Sequence, residues 1–292
     1  MNNPIKPRRS VLYMPGSNGR ALQKARTLPA DALIFDLEDA VAQQSKTAAR
    51  TAVLNAISAG GYGYRELVIR VNAPDTPWHE DDLNAVAGSQ ANAVLLPKVN
   101  GPEDVASAGR ALRVAGAATD LGLWVMAETP DAIRQVDLIA TAEPALQAIV
   151  MGNNDLAKAL RLPADPARTG LLHAMGAAIL AARAQGLDIL DGAYGDLADQ
   201  AGFTRECAQG KSLGFDGKTL IHPAQIAPAN EIFGVTDEDV RRAEAIVAAW
   251  QAADAAGQGV AVADGQMIEA LHAESAQRVL ALHAAINARS ED

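Results

Sequence analysis

Two carboxylates in this chain stand directly after short apolar runs. Glu128 follows Val125-Met-Ala, and Asp155 follows Ile149-Val-Met-Gly-Asn-Asn. Such runs are typical of buried parallel strands, so each carboxylate is expected where a buried strand meets solvent. Two carboxylates on nearby strands would offer the oxygen ligands that Mg²⁺ prefers. Each could instead be an acidic residue at the start of the following helix, where Asp and Glu are also favoured.

Arginine, lysine and histidine side chains occur at the ends of other apolar runs, and helix capping does not account for them. Arg70, Lys98 and His222 occupy such positions. Arg70 could pair bidentately with a substrate carboxylate or a developing enolate, or it could form a salt bridge with Glu38 or Asp39. Glu38 and Asp39 are themselves expected to orient Arg70 or the waters of the metal.

The remaining candidates each have a distinct possible role. Lys98 could form a Schiff base, but the neighbouring carboxylates favour its protonated form over the nucleophilic amine. His222 precedes Pro223 and is therefore expected in an extended turn, where its ring or its backbone could contact a substrate. Asn154, beside Asp155, is a candidate for binding the substrate.

These residues require elements that bring them together. Eight apolar runs recur along the chain: Val11–Met14, Ala32–Leu37, Leu67–Val71, Ala93–Pro97, Leu123–Met126, Ala148–Met151, Leu187–Leu190 and Gly217–Ile221. Ala-rich segments with helical spacing, such as 103–116 and 170–185, lie between them. The pattern predicts an α/β fold, a (β/α)₈ TIM barrel, in which chemistry belongs at the carboxyl ends of the strands. A doubly wound sheet is the alternative, but it rarely needs eight parallel strands.

The C-terminal segment lies outside the eight strand–helix units. We expect the barrel to occupy residues 1–235, and residues 236–292 to form a helical lid or oligomerisation segment. Helices are predicted over 237–256 and 267–288. The glycine-rich stretch 257–265 between them is predicted to be a flexible connection.

Composition limits the class of protein. The chain has 292 residues and a formal net charge of −10, which argues against a general nucleic-acid-binding protein. Residues 1–30 contain six Lys or Arg and no Asp or Glu, as in a transit peptide or an anion-binding region. The strand and turn predicted there favour anion binding.

Cys207 is the only cysteine, which excludes an intramolecular disulfide. No long apolar run or signal peptide is evident, so we expect a cytoplasmic protein that does not interact with membranes.

The motifs around these residues resemble one enzyme family. In order they are Arg9-Ser-Val-Leu-Tyr-Met-Pro-Gly-Ser17, Asp36-Leu-Glu-Asp-Ala-Val41, Ile69-Arg-Val-Asn72, Leu96-Pro-Lys-Val99, Ala127-Glu-Thr129, Gly152-Asn-Asn-Asp-Leu156 and Gly214-Phe-Asp-Gly-Lys-Thr-Leu-Ile-His-Pro-Ala-Gln-Ile226. Together they resemble the citrate lyase β-subunit-like family, the CoA-ester lyases of the HpcH/HpaI aldolase superfamily. The resemblance extends from about residue 8 to residue 280.

The resemblance implies a metal-dependent carbon–carbon lyase. It would cleave a malyl-, citramalyl- or citryl-type CoA thioester, through an enolate, into an acyl-CoA or acetate-type product and a 2-oxo acid. Glu128 and Asp155 would be the metal ligands, and Arg70 would stabilise the enolate. The metal would be Mg²⁺, with Mn²⁺ as a possible substitute. Relatives of this kind are usually homotrimers or homohexamers.

The resemblance also implies contacts with coenzyme A. Tyr13 and Lys24 match CoA-contacting positions, while Ile221 and His222 match the loop near the thioester. Asn18 departs from the pattern, because malyl-CoA lyases carry an arginine there. The departure leaves one fewer cation for CoA, and it supports an alternative, a CoA-independent Mg²⁺ aldolase acting on 2-oxo acids.

A second departure concerns the predicted acid or base. Glu269 stands where many relatives have an Asp that reaches a neighbouring subunit's site, and its side chain is one methylene longer. It is expected to protonate the enolate, to serve a different substrate, or to take no part in the reaction. A third possibility for the whole chain is a citryl-ACP lyase-type subunit, which would need an acyl-carrier protein as partner.

Overall fold

The structure is a computed structural model that describes residues 5–290, without the side chain of Ser290. It divides into two compact units. The first is Arg8–Phe233, and the second combines residues 5–7 with the segment from Gly234 onwards.

The first unit is a closed barrel of eight parallel strands, paired in sequence order, with β8 pairing back to β1. The strands are β1 Ser10–Pro15, β2 Ala32–Asp36, β3 Glu66–Arg70, β4 Ala93–Leu96, β5 Gly122–Ala127, β6 Leu146–Met151, β7 Asp188–Asp191 and β8 Gly217–Leu220. Each strand overlaps one of the predicted apolar runs. The prediction of a (β/α)₈ TIM barrel is therefore confirmed.

Helices connect the strands of the barrel. They are α1 Gly19–Lys24, α2 Lys46–Ser58, α3 His79–Ala87, α4 Pro102–Val114, α5 Pro130–Arg134, α6 Val136–Ala140, α7 Asn153–Ala159, α8 Leu172–Ala184, α9 Gln200–Leu213 and α10 Ile226–Ile232. The larger apolar core lies between these helices and the strands.

A second apolar cluster fills the interior of the barrel. Its buried members alternate along the strands, for example Ala32 and Ile34 on β2 and Trp124 and Met126 on β5. Alternate residues of a strand point to the same face, so the next inward positions lie at the carboxyl end. On β2 and β3 these positions are Asp36 and Arg70, and just beyond β5 the position is Glu128.

A charged cluster occupies the amino end of the barrel. Arg8 donates from Nε and Nη2 to Glu66 at 2.8 Å each, and from Nη1 to Asp188 at 2.7 Å. Its guanidinium lies 4.7 Å from the centre of the Trp124 ring. Arg8 and Glu66 are almost fully buried, so loss of either would leave the charge of the other poorly compensated.

The second unit contains α11 Asp237–Ala255, β9 Ala261–Ala263, β10 Gln266–Ile268 and α12 Ala270–Asn287. The prediction of a flexible connection over 257–265 is wrong from residue 261 onward, because β9 pairs with β10 as an antiparallel hairpin. Asp264 and Gly265, both at positive φ, form its two-residue turn. None of the helices described is long and apolar enough to cross a membrane.

Candidate active site

The two predicted metal carboxylates meet at one lysine. Lys98 Nζ lies 2.5 Å from Asp155 Oδ2 and 3.3 Å from Glu128 Oε2. The backbone N–H of Lys98 donates to Glu128 Oε1 at 2.7 Å. Glu128 is 1% exposed, and its Oε2 accepts no hydrogen bond. A buried carboxylate oxygen without a hydrogen bond is costly unless a cation compensates it, so this pair is suited to a metal.

The neighbouring charges shift the ionisation of this trio. Burial raises the pKa of Glu128, although the charge of Lys98 opposes that effect. Burial would also raise the pKa of Asp155, but the hydrogen bonds with Lys98 and Glu128 and the charges of Lys98 and Arg70 together lower it. For Lys98 burial lowers the pKa, yet Asp155 and Glu128 together raise it above the ordinary value. The amine therefore stays protonated near neutral pH, which disfavours the Schiff-base alternative.

Gly152, between β6 and α7, provides the space for Glu128. A Cβ at Gly152 would overlap the Cβ of Glu128 and lie 2.6 Å from its Oε2. Any larger residue would have to displace this carboxylate, because such overlap is not tolerated in a packed site. The sequence contains this glycine in its Gly152-Asn-Asn-Asp motif, but its steric role could not be predicted without the position of Glu128.

Arg70 is fixed mainly by Asp36, a partner that was not among the predicted site residues. Arg70 Nε and Nη2 donate to the two Asp36 oxygens at 2.7 and 2.6 Å. The same carboxylate accepts the backbone N–H groups of Glu38 and Ala40. A bidentate pair of this kind holds the guanidinium in one orientation. Asp36 and Arg70 lie opposite each other in the β2–β3 register, which explains the contact.

The ring of Tyr13 lies against the other face of this arginine. The Arg70 guanidinium is 4.8 Å from the ring centre, and Met126 Sδ lies 3.7 Å from Arg70 Nη1. Burial raises the pKa of the Tyr13 phenol well above its ordinary value, so it stays protonated. Tyr13, Arg70 and Met126 thus form a layer across the barrel below the level of Glu128.

Of the two predicted orienting acids, Glu38 is close to Arg70 and Asp39 is distant. Glu38 Oε2 lies 2.9 Å from Arg70 Nη1, although without hydrogen-bond geometry, and Asp39 Oδ2 lies 4.0 Å away. Burial raises the pKa of Glu38 to about 8; Arg70 lowers it, while Asp39 and Glu128 add to the increase. Glu38 therefore carries a proton over much of the neutral range.

The raised pKa of Glu38 predicts a pH-dependent stability. Folding favours the protonated carboxyl of Glu38. Its contribution to the free energy of unfolding is therefore complete below the ordinary pKa range of carboxyl groups, and it is lost as the pH rises through about 8. In chelator-treated protein, Glu38→Gln should increase the free energy of unfolding at pH 9 and leave it little changed near pH 4. Urea denaturation of both proteins across this range measures the difference.

Asp39→Asn is the matched control, because the Asp39 side chain is 64% exposed and lies 4.0 Å from Arg70. It should alter the pH dependence of unfolding only slightly. A constant difference between Glu38→Gln and the unmodified protein at every pH would contradict the assignment.

A second charged network anchors the start of α7. Leu190 belongs to the interior cluster, so Asp191 faces the surrounding helices instead of the mouth of the barrel. Asp191 accepts hydrogen bonds from Arg168 at 2.7 Å, Lys218 at 2.8 Å and Asn153 Nδ2 at 2.9 Å. Asn153 begins the helix that carries Asp155, so the network restrains this predicted ligand from below.

The predicted substrate-contacting and CoA-contacting residues differ in their surroundings. Lys24 is exposed at the end of α1, and Ile221 and His222 are exposed just after β8. Gln225 Oε1 accepts the backbone N–H groups of Ile221 and His222, at 2.9 and 3.2 Å, and fixes this loop. Asn154 is exposed beside Asp155 and borders a cavity of about 600 Å³. The binding roles of these residues, and that of Tyr13, stay predictions.

Glu269 belongs to the second unit, where it directly precedes α12. Its backbone N–H donates to His272 Nδ1 at 3.0 Å, and the residue is partly exposed. Asn18 caps α1 through a hydrogen bond from Ala21 N–H to its Oδ1, at 3.1 Å. Asn18, which replaces the arginine of malyl-CoA lyases, therefore has a local capping role. The acid–base role of Glu269 stays a prediction.

Known proteins match this chain along nearly its whole length. A (3S)-malyl-CoA thioesterase of Cereibacter sphaeroides is 46% identical over 288 residues, which is 99% of each chain. An L-malyl-CoA/beta-methylmalyl-CoA lyase of the same species is 32% identical and covers 95% of each chain. The solved structure of the protein CitE from Mycobacterium tuberculosis, in complex with magnesium, acetoacetate and coenzyme A, superposes with a TM-score of 0.75. It is 26% identical, and the match covers 94% of this chain and 97% of that one.

The family model for HpcH/HpaI aldolase/citrate lyase matches residues 9–223. This range contains all eight strands and every predicted site residue except Glu269. The resemblance inferred from the motifs is confirmed: the chain belongs to the HpcH/HpaI aldolase/citrate lyase family of enzymes.

Proposed function

We propose that this protein is a Mg²⁺-dependent lyase that cleaves the carbon–carbon bond of a malyl-type CoA thioester. The observation that carries the proposal is at the carboxyl ends of the strands. There the buried Glu128, whose Oε2 accepts no hydrogen bond, lies above the layer that contains Arg70, an arginine held by Asp36. The names of the matched thioesterase and lyase, and the ligands of the matched CitE structure, support the choice of CoA ester and metal.

Glu128 and Asp155 fit the proposed metal. Within residues 5–290, no group of three or more His, Cys, Asp or Glu side chains is arranged to hold an ion. A site with two protein carboxylates suits Mg²⁺, which commonly keeps several waters and accepts substrate oxygens as further ligands. When bound, the ion would lower the pKa of the substrate hydroxyl and offset the negative charge that develops as the bond breaks.

Arg70 would stabilise the product enolate. The substrate hydroxyl gives up its proton to solvent, the carbon–carbon bond breaks, its electron pair passes to the thioester unit, and the former hydroxyl carbon becomes the carbonyl of a 2-oxo acid. The guanidinium is held in place by Asp36 and Tyr13 before the charge develops. A fixed donor of this kind stabilises a developing oxyanion without reorganising during the reaction.

The enolate carbon then requires a proton. Glu38 carries one near neutral pH, since its pKa is about 8, and it lies beside Arg70. Within the barrel unit we assign this donor role to Glu38, and Glu269 remains the alternative that the family resemblance implies. At the outer end of the substrate, Lys24, Ile221 and His222 would contact the CoA.

Thioester hydrolysis is the second candidate, favoured by the 46% identity with a malyl-CoA thioesterase. Water would attack the thioester carbonyl and release a hydroxy acid and free CoA. The same arginine would stabilise the oxyanion, and Glu38 in its ionised form would accept the proton of the water.

One assay separates the two reactions. We expect the protein, incubated with Mg²⁺ and malyl-, methylmalyl-, citramalyl- or citryl-CoA, to release a 2-oxo acid from one of them without free thiol. Hydrazone formation detects the oxo acid, and a thiol reagent detects CoA. Addition of a chelator should stop the release.

Free thiol without oxo acid would overturn the lyase proposal in favour of hydrolysis. No reaction with any of the four esters would contradict both. Reaction of free 2-oxo acids, or of an acyl-carrier-protein ester, would then identify the aldolase or carrier-dependent alternative.

A further inference from the structure

Lys98 has an unusual backbone conformation for a residue with a side chain. It follows Pro97 at the end of β4, and its φ is 52°, in the left-handed region. Such a conformation costs free energy in a residue other than glycine and persists where the surroundings impose it. It brings both the backbone N–H and the ammonium group of Lys98 towards Glu128.

The ammonium group lies between the two proposed metal ligands. It is 2.5 Å from Asp155 Oδ2 and 3.3 Å from Glu128 Oε2, and the side chain is 30% exposed. Two carboxylates held this close repel each other when no cation is present.

We propose that Lys98 is an internal counter-ion of the carboxylate pair, which holds the pair together without metal and sets its affinity for Mg²⁺ by competing with the ion. The inference rests on the proposed function, because it takes Glu128 and Asp155 as the metal ligands. Lys98 therefore acts as a positioning residue.

Competition follows from the charges involved. The oxygens that face the ammonium group would be ligands of the ion, so the ammonium must leave them for the ion to bind. A lysine side chain can do so, because its four-carbon stem is flexible and its head is already partly in water. The hydrogen bond from the Lys98 backbone to Glu128 Oε1 does not depend on the ammonium, so Glu128 would keep its orientation.

The test is a calorimetric titration of Mg²⁺ into the unmodified protein and Lys98→Met, which removes the charge but keeps a long side chain. We expect Lys98→Met to bind Mg²⁺ roughly tenfold more tightly. A change of this size lies between the effect of removing an exposed ion pair and that of removing a buried one. Its melting temperature in chelator should fall, and Mg²⁺ should raise it further than in the unmodified protein. Lys98→Arg, which restores the charge, should return the affinity towards the original value.

Lys158→Met is the matched control. Lys158 is an exposed lysine on α7, the helix that carries Asp155, so the change removes one positive charge nearby without altering the contacts of the pair. It should leave the Mg²⁺ affinity nearly unchanged. Equal or weaker binding by folded Lys98→Met would overturn the inference. Failure of the unmodified protein to bind Mg²⁺ would instead overturn the proposed metal site.

If Lys98→Met does not fold, the inference can be tested on the unmodified protein. Reductive methylation followed by mass spectrometry of the Lys98 peptide reports how available the amine is. Saturating Mg²⁺ should increase methylation of Lys98 several-fold relative to Lys158. An unchanged ratio in protein shown to bind Mg²⁺ would overturn the inference.

Discussion

Replacement of Glu128 by glutamine is expected to reduce Mg²⁺-dependent turnover about a thousandfold, because a catalytic metal supplies several kcal/mol of charge stabilisation. Glutamine keeps the shape of the side chain, and its carbonyl can still accept the Lys98 N–H that now donates at 2.7 Å. The change therefore removes the charge of a metal ligand while it preserves the packing against Gly152. Steady-state rates and Mg²⁺ titrations measure the loss.

Asp131→Asn is the control for this change. Asp131 lies three residues further along, and both it and its 3.4 Å partner Arg134 are exposed, so removing its charge should leave turnover and Mg²⁺ affinity unchanged. Full turnover by Glu128→Gln with an unaltered Mg²⁺ dependence would show that Glu128 is not a metal ligand.

Replacement of Arg8 by methionine is expected to lower the free energy of unfolding by about 3–5 kcal/mol, the range for removing one partner of a buried ion pair. Glu66 would remain buried without its two 2.8 Å hydrogen bonds, and the packing on Trp124 would be lost. The carboxyl-end site contains none of these residues, so the rate of the folded variant should change little. Urea denaturation and rate measurements on the same preparation test both parts.

Arg110→Met provides the comparison. The Arg110–Glu103 pair is only 2.5 Å long, but the two side chains are 56% and 79% exposed. Solvent screens such a pair, so its loss should cost about 0–1 kcal/mol. If Arg8→Met and Arg110→Met lowered the free energy of unfolding equally, burial would not be the reason that the Arg8 ion pairs stabilise the protein.

The barrel could be predicted from the sequence because buried parallel strands are apolar on both faces. The runs around Ile34 and Trp124, for example, needed no knowledge of their partners. The β9–β10 hairpin was missed since its strands have three residues each. The signal was present, however, in Asp264-Gly265, a dipeptide that favours the tight turn found there.

The site was predicted less completely than the fold. Glu128, Asp155 and Arg70 could be identified because each lies near the carboxyl end of an apolar run: Arg70 ends β3, Glu128 directly follows β5, and Asp155 lies in the first turn of α7, just after β6. The pairing of Arg70 with Asp36 depends on the register of β2 and β3, and no local pattern encodes it. The outward direction of Asp191 does follow from alternation with Leu190. The left-handed conformation of Lys98 has no signal in the sequence, because the surrounding barrel imposes it.

The filled interior of the barrel has a consequence for the order of events during turnover. Arg8 with its partners occupies the amino end, and apolar side chains fill the layers above it, so ligands reach Glu128 from the carboxyl ends of the strands. An ion and a far larger thioester would then share one entrance. Under the proposed function, the ion should load before the thioester, and bound CoA product should slow exchange of the ion with solution.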